Sequence, residues 1–189
     1  MAKGRGNGTT VRGRGLAMRA RLFLVPALAF APLRARAYDF LTQEQAQALL
    51  FPKARLTPAQ FVMTDAQVVA LQRAAEGAPI WHRTVKVWKV STGGWFFIDQ
   101  VLGREDRITY ALGLDSAGKV TGIEILVCDG GYTQVREPAW LAHFAGARLG
   151  DGSLSTQVPI ISGVTLSSEH VIEGVRRLLA VHALFLAQR

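Results

Sequence analysis

Apolar and polar positions alternate along this chain in two different rhythms, and the change between them divides it into parts. Thr42 to Leu50 and Thr64 to Ala75 carry apolar residues at helical spacing, and each opens on a threonine suited to the N-cap. The segment joining them contains Pro52 and Pro58 and reads as a loop. From Thr84 onward the helical spacing gives way to short strand-like runs. Thr84 to Val90, Trp95 to Val101, Arg107 to Leu114 and Lys119 to Val127 are strand-like runs rich in β-branched and aromatic residues. They are separated by Ser91-Thr92-Gly93-Gly94, Gly103-Arg104-Glu105-Asp106 and Asp115-Ser116-Ala117-Gly118. Connections this short join antiparallel neighbours, so the four runs predict a meander. Asp129 to Asp151 is loop-rich, with a short helix expected around Ala139 to Ala145. The helical rhythm returns in Ser168 to Gln188, where Val171, Ile172, Val175, Leu178, Leu179, Phe185 and Leu186 share one face. Helices on one face of an antiparallel meander predict an α+β domain.

The first 37 residues follow neither rhythm. Leu22 to Leu33 is continuously apolar, is preceded by Lys3, Arg5, Arg12, Arg14, Arg19 and Arg21, and is followed by Ala35-Arg36-Ala37. That is the layout of a cleaved signal peptide, with a mature chain starting at Tyr38. The run falls short of the roughly 20 apolar residues that span a bilayer, which favours cleavage over an uncleaved anchor. Met18 is an alternative start, and without an Arg-Arg pair the general secretion route is favoured over the twin-arginine one. Residues 38–189 form one domain by size.

This division alters what the charge means. The whole chain has a formal charge of +8, which alone invites a nucleic-acid reading. Eight of its 22 Lys and Arg fall in residues 1–37, which hold no acid, leaving 14 basic against 14 acidic residues in the rest. The basic balance belongs to the leader, and no nucleic-acid partner is expected. Cys128 is the only cysteine, so no intrachain disulfide can form. His82, His143 and His182 have no companions at ligand spacing, so no metal site is expected. Ser162 has no His and acid arranged around it for nucleophilic catalysis.

The chemistry is concentrated at the entrance to the last helix, Pro159 to His170. Ser167 or Ser168 would serve there as helix cap, and Gly163 as the turn. The same entrance offers free N–H groups and the positive end of a helix dipole to a phosphate, with the Thr165 hydroxyl just upstream. His170 falls in the first turn, where an imidazolium is unfavourable unless an anion lies nearby; a neutral, partly buried His is the alternative. Tyr132, Trp140 and Trp95 are candidates to edge a flat ring, although core packing is the better account of any one of them.

Ser162-Gly163-Val164-Thr165-Leu166-Ser167-Ser168 resembles the flavinylation motif of FMN-binding domains, Asp-x-x-Ser-Gly-Ala-Thr-x-Ser/Thr-Ser. Such domains occur in the sodium-pumping NADH:quinone reductase and Rnf complexes and as short exported proteins. The resemblance extends to Tyr38 to Thr42, Gly94 to Asp99, Val120 to Leu126, and Pro138-Ala139-Trp140 with Phe144 and Gly146. It implies an exported electron-transfer flavoprotein, periplasmic or at the outer face of the inner membrane. In that family FMN is joined to the motif threonine as a phosphoester, donated from FAD by a flavin transferase. Here that residue is Thr165, with Ser162, Gly163, Ser167, Ser168, His170, Tyr132 and Trp140 as the implied surroundings. The implied partners are the transferase and membrane or periplasmic redox proteins; nothing defines a substrate pocket of a stand-alone enzyme. Two positions depart from the motif: Val164 replaces Ala, and Pro159 replaces Asp. A chain that had lost flavinylation would instead be a cofactor-free exported binding or accessory module.

Overall fold

The computed structural model describes residues 41–104, 107–128 and 133–188. The signal-peptide reading of residues 1–37 therefore lies outside the described residues.

Two capped helices open the domain. In α1 (Gln43–Leu50) the Thr42 hydroxyl accepts the Gln45 N–H at 3.2 Å, while the Gln45 side chain accepts the Thr42 N–H at 2.8 Å. Thr64 and Gln67 repeat this reciprocal box at the start of α2 (Asp65–Ala74). The segment between them is more than the loop expected. It holds two short strands, β1 (Leu56–Pro58) and β2 (Phe61–Val62), which pair with opposite ends of β3 (Thr84–Val90). Pro58 is tolerated because β1 lies at the sheet edge.

β3, β4 (Trp95–Leu102), β5 (Arg107–Leu114) and β6 (Val120–Cys128) follow as the antiparallel meander predicted. β4 and β5 pair over their full length, from Trp95 opposite Leu114 to Leu102 opposite Arg107. The β3–β4 ladder is shorter. It runs from Lys89 opposite Trp95 to Lys86 opposite Ile98 and stops there, while Thr84 and Val85 stay paired with β2 on the other edge of β3. The sheet splits at this point, and Arg177 laces the two lips. Its guanidinium donates to the Pro79 carbonyl on one side and to the Asp99 carboxylate on the other. Asp99 also accepts the Tyr110 hydroxyl at 3.1 Å. Burial, reinforced by the Asp99 charge, pushes the Tyr110 hydroxyl well above its ordinary range.

Helices cover both faces of the sheet, not one. The larger core joins Phe97, Tyr110, Leu112 and Ile123 to α2 and to α5 (Thr165–Val181). On the other face, Phe96, Ala111 and Leu126 pack against Ala46 and Leu50 of α1. Along β4 the run Trp95-Phe96-Phe97 is buried on both sides, as a strand between two helical layers must be. Gly174 lets α5 settle onto the sheet, since a Cβ there would come within 2.5 Å of the Tyr110 hydroxyl. After β6 come the short helix α3 (Pro138–Leu141) with a 3₁₀ turn to Phe144, then α4 (Ser153–Gln157), which was not expected. α5 ends at Val181, and a π-helical turn, His182–Leu186, continues it. Among the described residues no helix is long and apolar enough to cross a membrane.

Candidate functional site

The segment entering α5 is pinned from below before it reaches the helix. Trp140 is buried, with 5% of its surface exposed, and its indole N–H donates to the Pro159 carbonyl at 2.8 Å. Its ring meets Phe144 edge-on, with centroids 5.0 Å apart. Trp140 thus sits beneath the loop, where it supports the turn. Ile161 to Val164 forms that turn, closed by the Val164 N–H on the Ile161 carbonyl at 3.1 Å. Gly163 takes its third position at φ +86°, with open space where a Cβ would stand. Conformation, and not crowding, is what requires glycine here.

α5 begins three residues earlier than the sequence pattern predicts. Val164 is the N-cap and makes no side-chain cap bond, since its isopropyl group has no acceptor; it packs into the larger core instead. Thr165 is therefore the first residue of the helix instead of lying upstream of it. Neither Ser167 nor Ser168 caps, and both are buried. The Ser168 hydroxyl points its proton at the Thr165 carbonyl (2.9 Å), with the Val164 carbonyl at 3.2 Å. It also accepts the Ile161 N–H at 3.2 Å, clipping the turn to the helix. The first N–H of α5 to find an intrahelical partner is that of Ser168, on the Val164 carbonyl at 3.0 Å. The N–H groups of Thr165, Leu166 and Ser167 precede it and have no such acceptor. They stand beside an exposed Thr165 hydroxyl, at the positive end of a helix of 17 residues. Ser162, Gly163 and Leu166 are exposed around it.

His170 lies in the second turn of α5, not the first, and is partly buried. Five residues along the helix rotate it by about 140° from Thr165. Its Nδ1 lies 2.7 Å from the Leu102 carbonyl, and since a carbonyl only accepts, that nitrogen carries the proton. His170 thus ties α5 to the end of β4. Tyr132 lies outside the described residues.

On the face of α5 that carries Thr165, a groove of about 320 Å³ runs toward the helix middle. Glu169, Ile172 and Arg176 form one wall, and Leu154, Val158 and Ile160 the other. Arg176 donates to the Ser155 hydroxyl at 3.3 Å and lies 3.4 Å from the Glu76 carboxylate. Sequence reasoning missed this wall. Arg176 stands eleven positions after Thr165, which is the same helical face, and that spacing was the available signal. α4, at five polar-leaning residues, carried none.

The family model of the FMN-binding domain matches residues 103–180, from the end of β4 almost to the end of α5. The match takes in the Thr165 turn and supports an FMN-binding domain protein, and the α+β architecture agrees with that fold. No curated protein matches the chain.

Proposed function

We propose that this protein is an exported electron-transfer flavoprotein that carries FMN through a phosphoester on Thr165. The observation that carries the reading is the placement of an exposed threonine hydroxyl on the first residue of α5, inside the segment matched by the FMN-binding domain. The chain's own atoms fit a phosphate at that point. The free N–H groups of Thr165, Leu166 and Ser167 and the helix dipole are complementary to its charge. Gly163 and Ser168 hold the turn, and Trp140 holds the strand of chain beneath it. In the attachment step Thr165 Oγ loses its proton and takes the FMN phosphoryl group of FAD, with AMP leaving, under a flavin transferase. The bound flavin would supply the redox chemistry; the protein tethers it and presents it to membrane or periplasmic redox partners at the outer face of the inner membrane. A tether suits a compartment where a dissociable cofactor would be lost.

Co-expression with a flavin transferase tests this. The peptide containing Thr165 should gain the mass of one FMN less one water. Thr165→Val should abolish the gain while preserving the fold, and Thr165→Ser should keep part of it. Flavinylation that persists in Thr165→Val overturns the assignment. A wild-type chain left unmodified by several transferases would favour the cofactor-free module, with Pro159 in place of Asp as its cause. Pro159→Asp should then restore modification.

A further inference from the structure

We propose that the cleft where β3 and β4 part is a second binding site, for a small organic anion with an apolar body, such as an aryl-alkyl carboxylate. The cleft follows from the strand register. β3 leaves β4 after Lys86 opposite Ile98, whereas β4 runs on against β5 to Leu102 opposite Arg107. Asp99 to Leu102 therefore has no ladder on its β3 side among the described residues, and two cavities open along it. They meet at His82 and Gln100 and differ in character. The larger, about 340 Å³, falls within the range for small-molecule sites and is lined by Thr84, Lys86 and Thr109. The Gln100 side-chain amide donates to the Thr109 hydroxyl at 3.0 Å, so that hydroxyl keeps its own proton for a ligand. The smaller, about 110 Å³, is of the order that takes one aromatic ring. Trp81 and Leu102 beside it are 47% and 39% exposed. An anionic head beside Lys86 and a ring against Trp81 fill both.

Charge fixes the sign of the ligand. Lys86 and Arg107 enter no ion pair among the described residues, and the His82 imidazole lines both cavities. Among the described residues Asp99 is the one acid at the cleft, and its carboxylate is already held by Arg177 and by the Tyr110 hydroxyl. A carboxylate entering here meets uncompensated cations, and charge-assisted hydrogen bonds are stronger than neutral ones. The site is also separate from the Thr165 turn. Ile98 and Gln100 share the sheet face of Phe96, which carries α1, opposite the face covered by α5. Apart from Arg107 and Thr109, the lining precedes residues 103–180, so the FMN-binding domain match does not account for it.

The experiment titrates the full chain with hydrocinnamate, a carboxylate joined to a phenyl ring by a short alkyl link, and reads binding by calorimetry. Hydrocinnamide lacks the charge, and propionate lacks the ring. Hydrocinnamate should bind saturably at one site per chain. Each comparator should bind about tenfold more weakly, the scale of one lost charge-assisted hydrogen bond or of part of a ring's burial. Lys86→Gln should remove the preference for the acid over the amide, and Trp81→Ala the preference for hydrocinnamate over propionate. Both side chains are exposed, so neither change disturbs the core. Arg73→Gln, which alters an exposed cation on α2, should match wild type. No saturable binding at millimolar hydrocinnamate, equal affinity for acid and amide in wild type, or a preference that survives its variant overturns the site. So does an equal loss in Arg73→Gln. The unmodified and flavinylated chains should bind alike, so the result stands apart from attachment at Thr165. Binding lost on flavinylation would make the cleft part of the cofactor's own seat and overturn a separate site.

Discussion

His182 closes α5 on a buried ring whose Nε2 has no hydrogen-bond partner among the described residues. Burial holds its pKa below the ordinary histidine value, with the nearby Asp115 carboxylate opposing only in part. In the unfolded chain the same ring titrates at about 6.5. As the pH falls through that value, the unfolded state takes up a proton that the folded state refuses, so stability declines on acidification. The melting temperature should therefore drop between pH 7.5 and 5.5, and His182→Leu should flatten that slope. An unchanged slope in the variant would show that the dependence arises elsewhere. Ser168 illustrates why such roles are hard to read from a sequence. A serine before an amphipathic run looks like a cap, yet this one turns inward and clips the Ile161 turn to the helix. The role of a side chain at the head of a helix depends on where the helix starts, and the three-residue shift here puts Ser168 inside the first turn instead of at the cap.

Among the elements, the meander was legible because β-branched runs ended at glycine-rich turns, and β3 and β5 begin and end where the pattern placed them. β1 and β2 were not, since strands of three and two residues are too short for any period to register. The helical layer on the second face had a signal that the one-face reading overlooked: Trp95-Phe96-Phe97-Ile98 leaves no polar side for water. The split between β3 and β4, and the residue that laces it, are tertiary facts with no local signature. Arg177 reads as one more cation on α5, but it is 5% exposed and holds Pro79 and Asp99 together. Removing it leaves the Asp99 carboxylate, itself largely buried, without its counter-charge. Arg177→Met should cost about 3–5 kcal/mol in urea denaturation, the range for breaking a buried pair from one side. Adding Asp99→Asn should recover part of that loss, because the stranded charge is gone. A cost below about 1 kcal/mol, the range of an exposed pair, would mean that the lacing contributes little.

At the scale of the whole molecule, charge divides the chain near residue 37. Residues 1–37 hold eight of the 22 basic residues and no acid, and the apolar run Leu22 to Leu33 ends shortly before Ala35-Arg36-Ala37. The first described residue is Leu41, which packs against the smaller core, and the capping box of α1 begins at Thr42. A cut after Ala37 would leave only Tyr38, Asp39 and Phe40 ahead of the first described residue. Material recovered from the exported fraction should therefore begin at or near Tyr38, read by N-terminal sequencing or intact mass. The same cut should be visible in charge. The full chain, with a sequence pI near 10.4, should migrate as a strong cation. The processed chain carries 14 basic and 14 acidic residues and should focus near neutrality. Met1 or Met18 at the N-terminus of most exported material, with the basic pI retained, would replace the cleaved leader with a retained one.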